Sequence, residues 1–142
     1  MASLAPNSIF RDMVTGQVDM DTDSFKVMLL TSGYTPNKDT HTKRSDVEAS
    51  EVVGTAYVAG GTAVTVTVDA VDTVNDDVQI NLGGAAWAAS TITARYAAYY
   101  KTRGGAATAD ELVYIVDFGS DQVSSNGTFT LNASSIVIAN PN

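Results

Sequence analysis

The sequence predicts an all-β fold, an antiparallel β-sandwich of about seven or eight strands, jelly-roll or Ig-like, with one short N-terminal helix. Three observations carry this. Several runs alternate apolar and polar residues with the period of two that a half-buried strand requires. Gly, Asn and Asp clusters separate those runs at regular intervals. Only one segment follows the helical period instead.

That segment is Asn7 to Gly16, where Ile9, Phe10, Met13 and Val14 recur at helical spacing, Asn7 is a candidate cap and Gly16 a natural terminator. From Ser24 to Thr31 the chain is dense in apolar residues, Phe25, Val27, Met28, Leu29 and Leu30, interrupted by Lys26 alone, which suits a central strand covered on both faces. Residues 32–50 form the longest loop, polar and holding Lys38, His41, Lys43 and Arg44; Ser45 followed by Glu48 fits a capping box for a single helical turn. Val64 to Asp69 alternates strictly, with Val64, Val66 and Val68 on one face. Val78, Ile80 and Leu82 repeat the pattern after Asn75-Asp76-Asp77, a turn that closes a hairpin. Beyond Gly83-Gly84, Ile92, Ala94, Tyr96, Ala98 and Tyr100 share one face of a strand, and Thr93, Arg95, Tyr99 and Lys101 the other. Leu112, Tyr114, Val116 and Phe118 make the next run, and Phe129-Leu131 and Ile136-Ile138 two short closing strands. No linker divides the chain, so residues 1–142 are expected to form a single sandwich domain with a short N-terminal arm.

Composition narrows the classes of function. Charged residues make up only 17% of the chain, below the ~25% of an average globular domain, and Thr, Ser, Asn and Gly supply much of the polar surface. The formal net charge of -8 repels phosphate backbones and anionic headgroups, so neither nucleic acid nor membrane is expected as a partner. With no cysteine there is no disulfide, thiolate ligand or thiol nucleophile. The opening Met1-Ala2-Ser3-Leu4-Ala5-Pro6 lacks the basic start and apolar core of a signal peptide, and synthesis in the cytoplasm is expected.

The residues that could carry chemistry form no complete constellation. His41 is the single histidine, in a polar loop, so neither a multi-histidine zinc site nor an obvious Ser-His-Asp triad is available, and an enzyme is not expected. Asp19, Asp21 and Asp23 have the spacing of a calcium loop, but Ser24 stands where that loop needs glycine and Leu30 where it needs a bidentate glutamate; a turn is expected. Asp72, Asp76 and Asp77 read as solvated turn carboxylates, and the Gly pairs at 60–61, 83–84 and 104–105 as turns. No cofactor or metal is predicted. Tyr96, Tyr100, Tyr114 and Phe118 follow the inward alternation, whereas Tyr99 lies on the opposite face as an interface candidate.

Three stretches, taken in order, resemble short virion structural proteins of tailed bacteriophages. They are Asn7-Ser8-Ile9-Phe10 through Met20-Asp21-Thr22-Asp23-Ser24-Phe25 to Thr31-Ser32, then Ser90-Thr91-Ile92-Thr93-Ala94-Arg95-Tyr96-Ala97, then Val116-Asp117-Phe118-Gly119-Ser120-Asp121-Gln122 with Ser124-Ser125-Asn126-Gly127. The resemblance implies a β-rich virion component without catalytic residues. It makes a capsid decoration or cement protein the first expectation: bound to the major capsid protein on the outer surface of the head, trimeric with copies of itself, and located in the virion. A tail, collar or fibre-attachment component is the alternative. A carbohydrate-binding sandwich displaying Tyr99, Trp87 or Tyr57 is a second one. The contact residues expected for the capsid reading are Ala2, Ser3, Leu4, Ile9, Phe10 and Arg11 from the N-terminal segment, Tyr34, Pro36, Lys43 and Arg44 from the long loop, and Tyr99.

Overall fold

Two antiparallel sheets pack against each other in the computed structural model, which describes residues 2–141. After a helix α1 (Asn7–Val14) come β1 (Phe25–Leu30), β2 (Thr62–Val64), β3 (Val66–Val68), β4 (Asp77–Leu82), β5 (Ala85–Lys101), β6 (Leu112–Leu131) and β7 (Ser134–Ala139). The first sheet has the order β2-β1-β5-β6, the second β3-β4-β7. The all-β sandwich with one short helix is therefore the observed fold.

Most of it derives from one long two-stranded ribbon folded over on itself. β5 pairs with β6 and β4 with β7; Leu82 faces Ser134 and Ala85 faces Leu131, so the pairing keeps its register through the corner. Gly83-Gly84 bends one strand there and Asn132-Ala133 the other. Glycine is needed because a Cβ on Gly84 would lie 2.4 Å from the Leu131 carbonyl oxygen, and one on Gly83 2.6 Å from that of Thr65. Thr65 is the third bend at the same corner: Val64 pairs with Phe25 in the first sheet, Val66 with Leu82 in the second. The run from Val64 to Asp69, expected as one strand, is thus two, because a strand that switches sheets must break its ladder at the corner.

The main core lies between the sheets and includes Val27, Leu29, Leu82, Trp87, Tyr99 and Phe129. A second cluster covers the other face of the first sheet, where Met28, Leu30, Tyr96 and Tyr100 pack under Tyr34 and Val47 of the long loop and under Leu4. Apart from the partly buried Lys26, β1 is consequently buried on both faces, as its dense apolar sequence predicts.

The alternation expected from Ile92 to Tyr100 does not hold along the whole strand. Ala94 faces Gln122 but Tyr96 faces Asp117, so residues 118–121 bulge out opposite Arg95, with Gly119 at a φ of 81°. Below the bulge Ile92 and Ala94 enter the core between the sheets; above it that place is taken by Ala97 and Tyr99, while Tyr96, Ala98 and Tyr100 turn to the second cluster. A bulge exchanges the two faces of every residue beyond it. A further shift at Tyr100 sends Leu112 to the second cluster while Tyr114, Val116 and Phe118 pack against the first. Phe129–Leu131 is the end of the long β6 rather than a separate strand.

Local corrections are smaller. Pro6, not Asn7, occupies the helix cap position; the Asn7 amide donates instead to Asp39 Oδ1 at 2.7 Å. The long loop holds two successive 3₁₀ turns, Arg44–Asp46 and Glu48–Ser50, organised by Asp46 rather than Ser45: its Oδ2 accepts the backbone N–H of Thr42 and of Lys43.

Candidate interaction surface

The closed end of the β5–β6 hairpin gathers charge. Asp110 and Glu111, just before β6, are only 1% and 2% exposed. Arg44 Nε donates to Asp110 Oδ2 at 2.8 Å, Arg103 Nε to Glu111 Oε1 at 2.5 Å, and Lys43 Nζ reaches Glu111 Oε2 at 3.4 Å. Lys101 Nζ meets Asp23 Oδ2 at 2.7 Å. These pairs tie the hairpin to the long loop and to the turn before β1. Burial alone would raise the Asp23 pKa, yet the Lys101 hydrogen bond and the Asp19 N–H carry it below the ordinary value. Asp46 behaves alike: its partial burial is outweighed by the N–H groups of Thr42 and Lys43. For Asp12, desolvation dominates and its pKa is raised.

Several expected contact residues are consumed in this architecture. Ile9 and Tyr99 are fully buried, and Tyr34 and Pro36 are buried as well, so these four are corrected from contact residues to packing residues. Tyr99 faces inward because the bulge at Arg95 inverted its strand, and its hydroxyl donates to the Gly83 carbonyl at 2.8 Å. Tyr34 roofs the second cluster, its hydroxyl hydrogen-bonded to His41 Nδ1 at 2.8 Å; desolvation pushes its pKa, like that of Tyr99, up to about 12. Leu4 pairs with Ile115 through two backbone hydrogen bonds, and the Asp117 N–H donates to Ser3 Oγ at 2.9 Å, so the arm acts as a short strand on the edge of β6. Lys43 and Arg44 serve the internal ion pairs. Of the expected contact set, Ala2, Phe10 and Arg11 are exposed.

The other end of the molecule is of opposite character. Residues 52–68, 78–94 and 122–142 contain no charged residue at all, and the fold brings them together around the corner. Thr55 bridges to Thr91 across the edge of β5, and the outer face of the ribbon, past the second cluster, presents the opposed pairs Ala86/Thr130 and Thr93/Val123. Val123 is 68% exposed. Below the surface the buried hydroxyls of Ser90 and Ser124 hydrogen-bond each other at 2.8 Å. Overall charge did not reveal this neutral face; the position of the uncharged runs, read together with strand pairing, would have.

The remaining candidates are structural. Asp19 Oδ1 accepts the N–H groups of Asp21 and Thr22, closing the expected turn. Asp72 does the same for Val74 and Asn75. Among the described residues no cluster of three or more His, Cys, Asp or Glu side chains could hold a metal ion, and no helix is long and apolar enough to cross a membrane. Trp87 is 7% exposed and packs edge-on against Phe129, and Tyr57 donates its hydroxyl to Glu51 at 2.7 Å. Trp87 and Tyr99 are therefore not displayed to a sugar, and Tyr57 is half-buried.

Compared with protein-family models, curated proteins and solved structures, the chain matches none. The likeness to tailed-phage virion proteins rests on its three sequence stretches alone.

Proposed function

We propose that this protein is a non-enzymatic virion component of a tailed bacteriophage that binds the outer surface of the head, against the major capsid protein, as a decoration or cement protein. The supporting observation is the neutral outer face of the distal ribbon. In a chain of net charge -8, the strands carrying Ala86, Thr93, Val123 and Thr130 hold no charge from residue 78 to 94 or from 122 onward. A face buried in an assembly avoids the desolvation penalty of unpaired charges, while hydroxyls and small apolar groups still form hydrogen bonds and close contacts there. The rigid sandwich beneath would hold that face in shape before docking.

The test is addition of purified protein to heads that lack it. Binding with a higher temperature of head disruption is expected, and Val123→Lys, an exposed change, should abolish binding while leaving the circular dichroism spectrum unchanged. Absence of binding by the wild-type chain would remove the reading. Labelled copies on intact particles distinguish the sites: many per virion for the head, few for the tail.

A further inference from the structure

Unprotected strand edges invite another strand, and natural sheets blunt them with shortness, cover, bulges or charge. Among the described residues each edge but one shows such a device. β2 and β3 have three residues each. The N-terminal arm covers β6 at Ile115, the segment around Thr55 covers β5 at Thr91, and the rest of β6 is irregular, with Gly119 and Asn126 at φ values of 81° and 49°. The exception is β7, an unbulged strand of six residues, Ser134-Ser135-Ile136-Val137-Ile138-Ala139, with no charge and no proline. It pairs only with β4 among the described residues, and its other edge is free of any strand. Val137 is 52% and Ile138 43% exposed. Ile138 also borders two shallow apolar hollows of about 330 and 280 Å³, one reaching Val68 and Met13, the other Val71.

We propose that β7 is the seam of a homodimer: two copies pair their β7 strands antiparallel about a two-fold axis, joining their three-stranded sheets into one of six strands. Charge selects both the occupant and the direction. With a net charge of -8 per chain, two copies approach with least repulsion where neither carries charge, and β7 is such a place. Its Ala139 end lies beside Asp77, whereas its Ser134 end lies at the neutral corner. Antiparallel pairing sets the acidic end of each copy against the neutral end of the other, keeping the carboxylates apart by roughly the ~20 Å length of a six-residue strand, more than two screening lengths at physiological salt. Parallel pairing would stack them side by side. An edge that meets its own copy antiparallel is isologous and closes as a dimer, the commonest closed symmetry. This seam is distinct from the face assigned to head binding and does not depend on it; it puts a two-fold partner in place of the trimer that the resemblance implies.

Sedimentation velocity over a wide range of concentration tests the seam. The wild-type chain should approach twice its 14.8 kDa mass, and Val137→Lys, which sets two ammonium groups near each other across the axis, should sediment as a monomer with an unchanged circular dichroism spectrum. Val123→Lys should remain dimeric. In the wild-type chain the β7 amides should gain protection from hydrogen exchange as concentration rises, a readout that holds even if Val137→Lys fails to fold. A monomeric or trimeric wild type, a dimeric Val137→Lys, or β7 exchange independent of concentration would each overturn the proposal.

Discussion

The two ends of the β5–β6 ribbon solve the same problem of burial in opposite ways. At the hairpin end, charged side chains are drawn inside and neutralised: Asp110 and Glu111 are almost inaccessible, and Arg44, Arg103 and Lys43 close over them. At the corner end charge is omitted, and Trp87, Phe129, Leu131 and Ile136 pack beneath a skin of Thr, Ser, Ala and exposed Val and Ile. The difference follows from what each end must join. The hairpin end pins long irregular segments, residues 17–23 and 42–51, and directional pairs fix loops that have no ladder of their own. The corner end consists of strands already held by backbone hydrogen bonds, so apolar contact suffices there and its exterior carries no charge.

The largest expected effect tests the corner. Trp87→Ala removes the bulkiest side chain from a region with no ion pairs to compensate, and should cost about 4 kcal/mol, measured by urea unfolding. A loss below about 1 kcal/mol would mean that the corner is not held by apolar packing. Next, Asp110→Ala should cost about 2 kcal/mol, below the value for a fully buried pair because Arg44 retains contact with water and with Glu48 at 3.5 Å. Hydrogen exchange should then quicken in residues 101–111 and 42–48, not at the corner.

Acid should separate the ends by a smaller amount. Asp23 and Asp46 have folded pKa values below the ordinary 3.8, so their contribution is present above that value and is lost as pH falls through the lower folded ones. Asp12, its pKa raised, works the other way: its protonation relieves a cost, and Asp12→Asn should stabilise the protein slightly at neutral pH. Below about pH 4, exchange should therefore rise first around the hairpin end, while the charge-free corner keeps its protection. Equal loss at both ends would show that the ion pairs do not hold the loops.

Local chemistry in the sequence determined the class of the fold, because burying one face of a strand forces period-two alternation and burying both forces the apolar run Val27 to Leu30 of β1. It also determined the turns at Asp19 and Asp72, whose side chains satisfy backbone donors within a few residues. Only the tertiary structure decided which face each residue meets. The bulge opposite Arg95 leaves Gly119 as its one local signal, yet it turns Tyr99 into the core between the sheets and Tyr96 into the second cluster, removing Tyr99 from the contact set. Tyr34, Pro36, Lys43 and Arg44 likewise look like the accessible residues of a polar loop until the outer face of the first sheet is known to need a roof. The neutral face was present in the sequence as three uncharged runs, but pairing across long separations made them one surface, and that pairing is set by a glycine corner whose demand is steric and can be read only from the carbonyl groups it approaches.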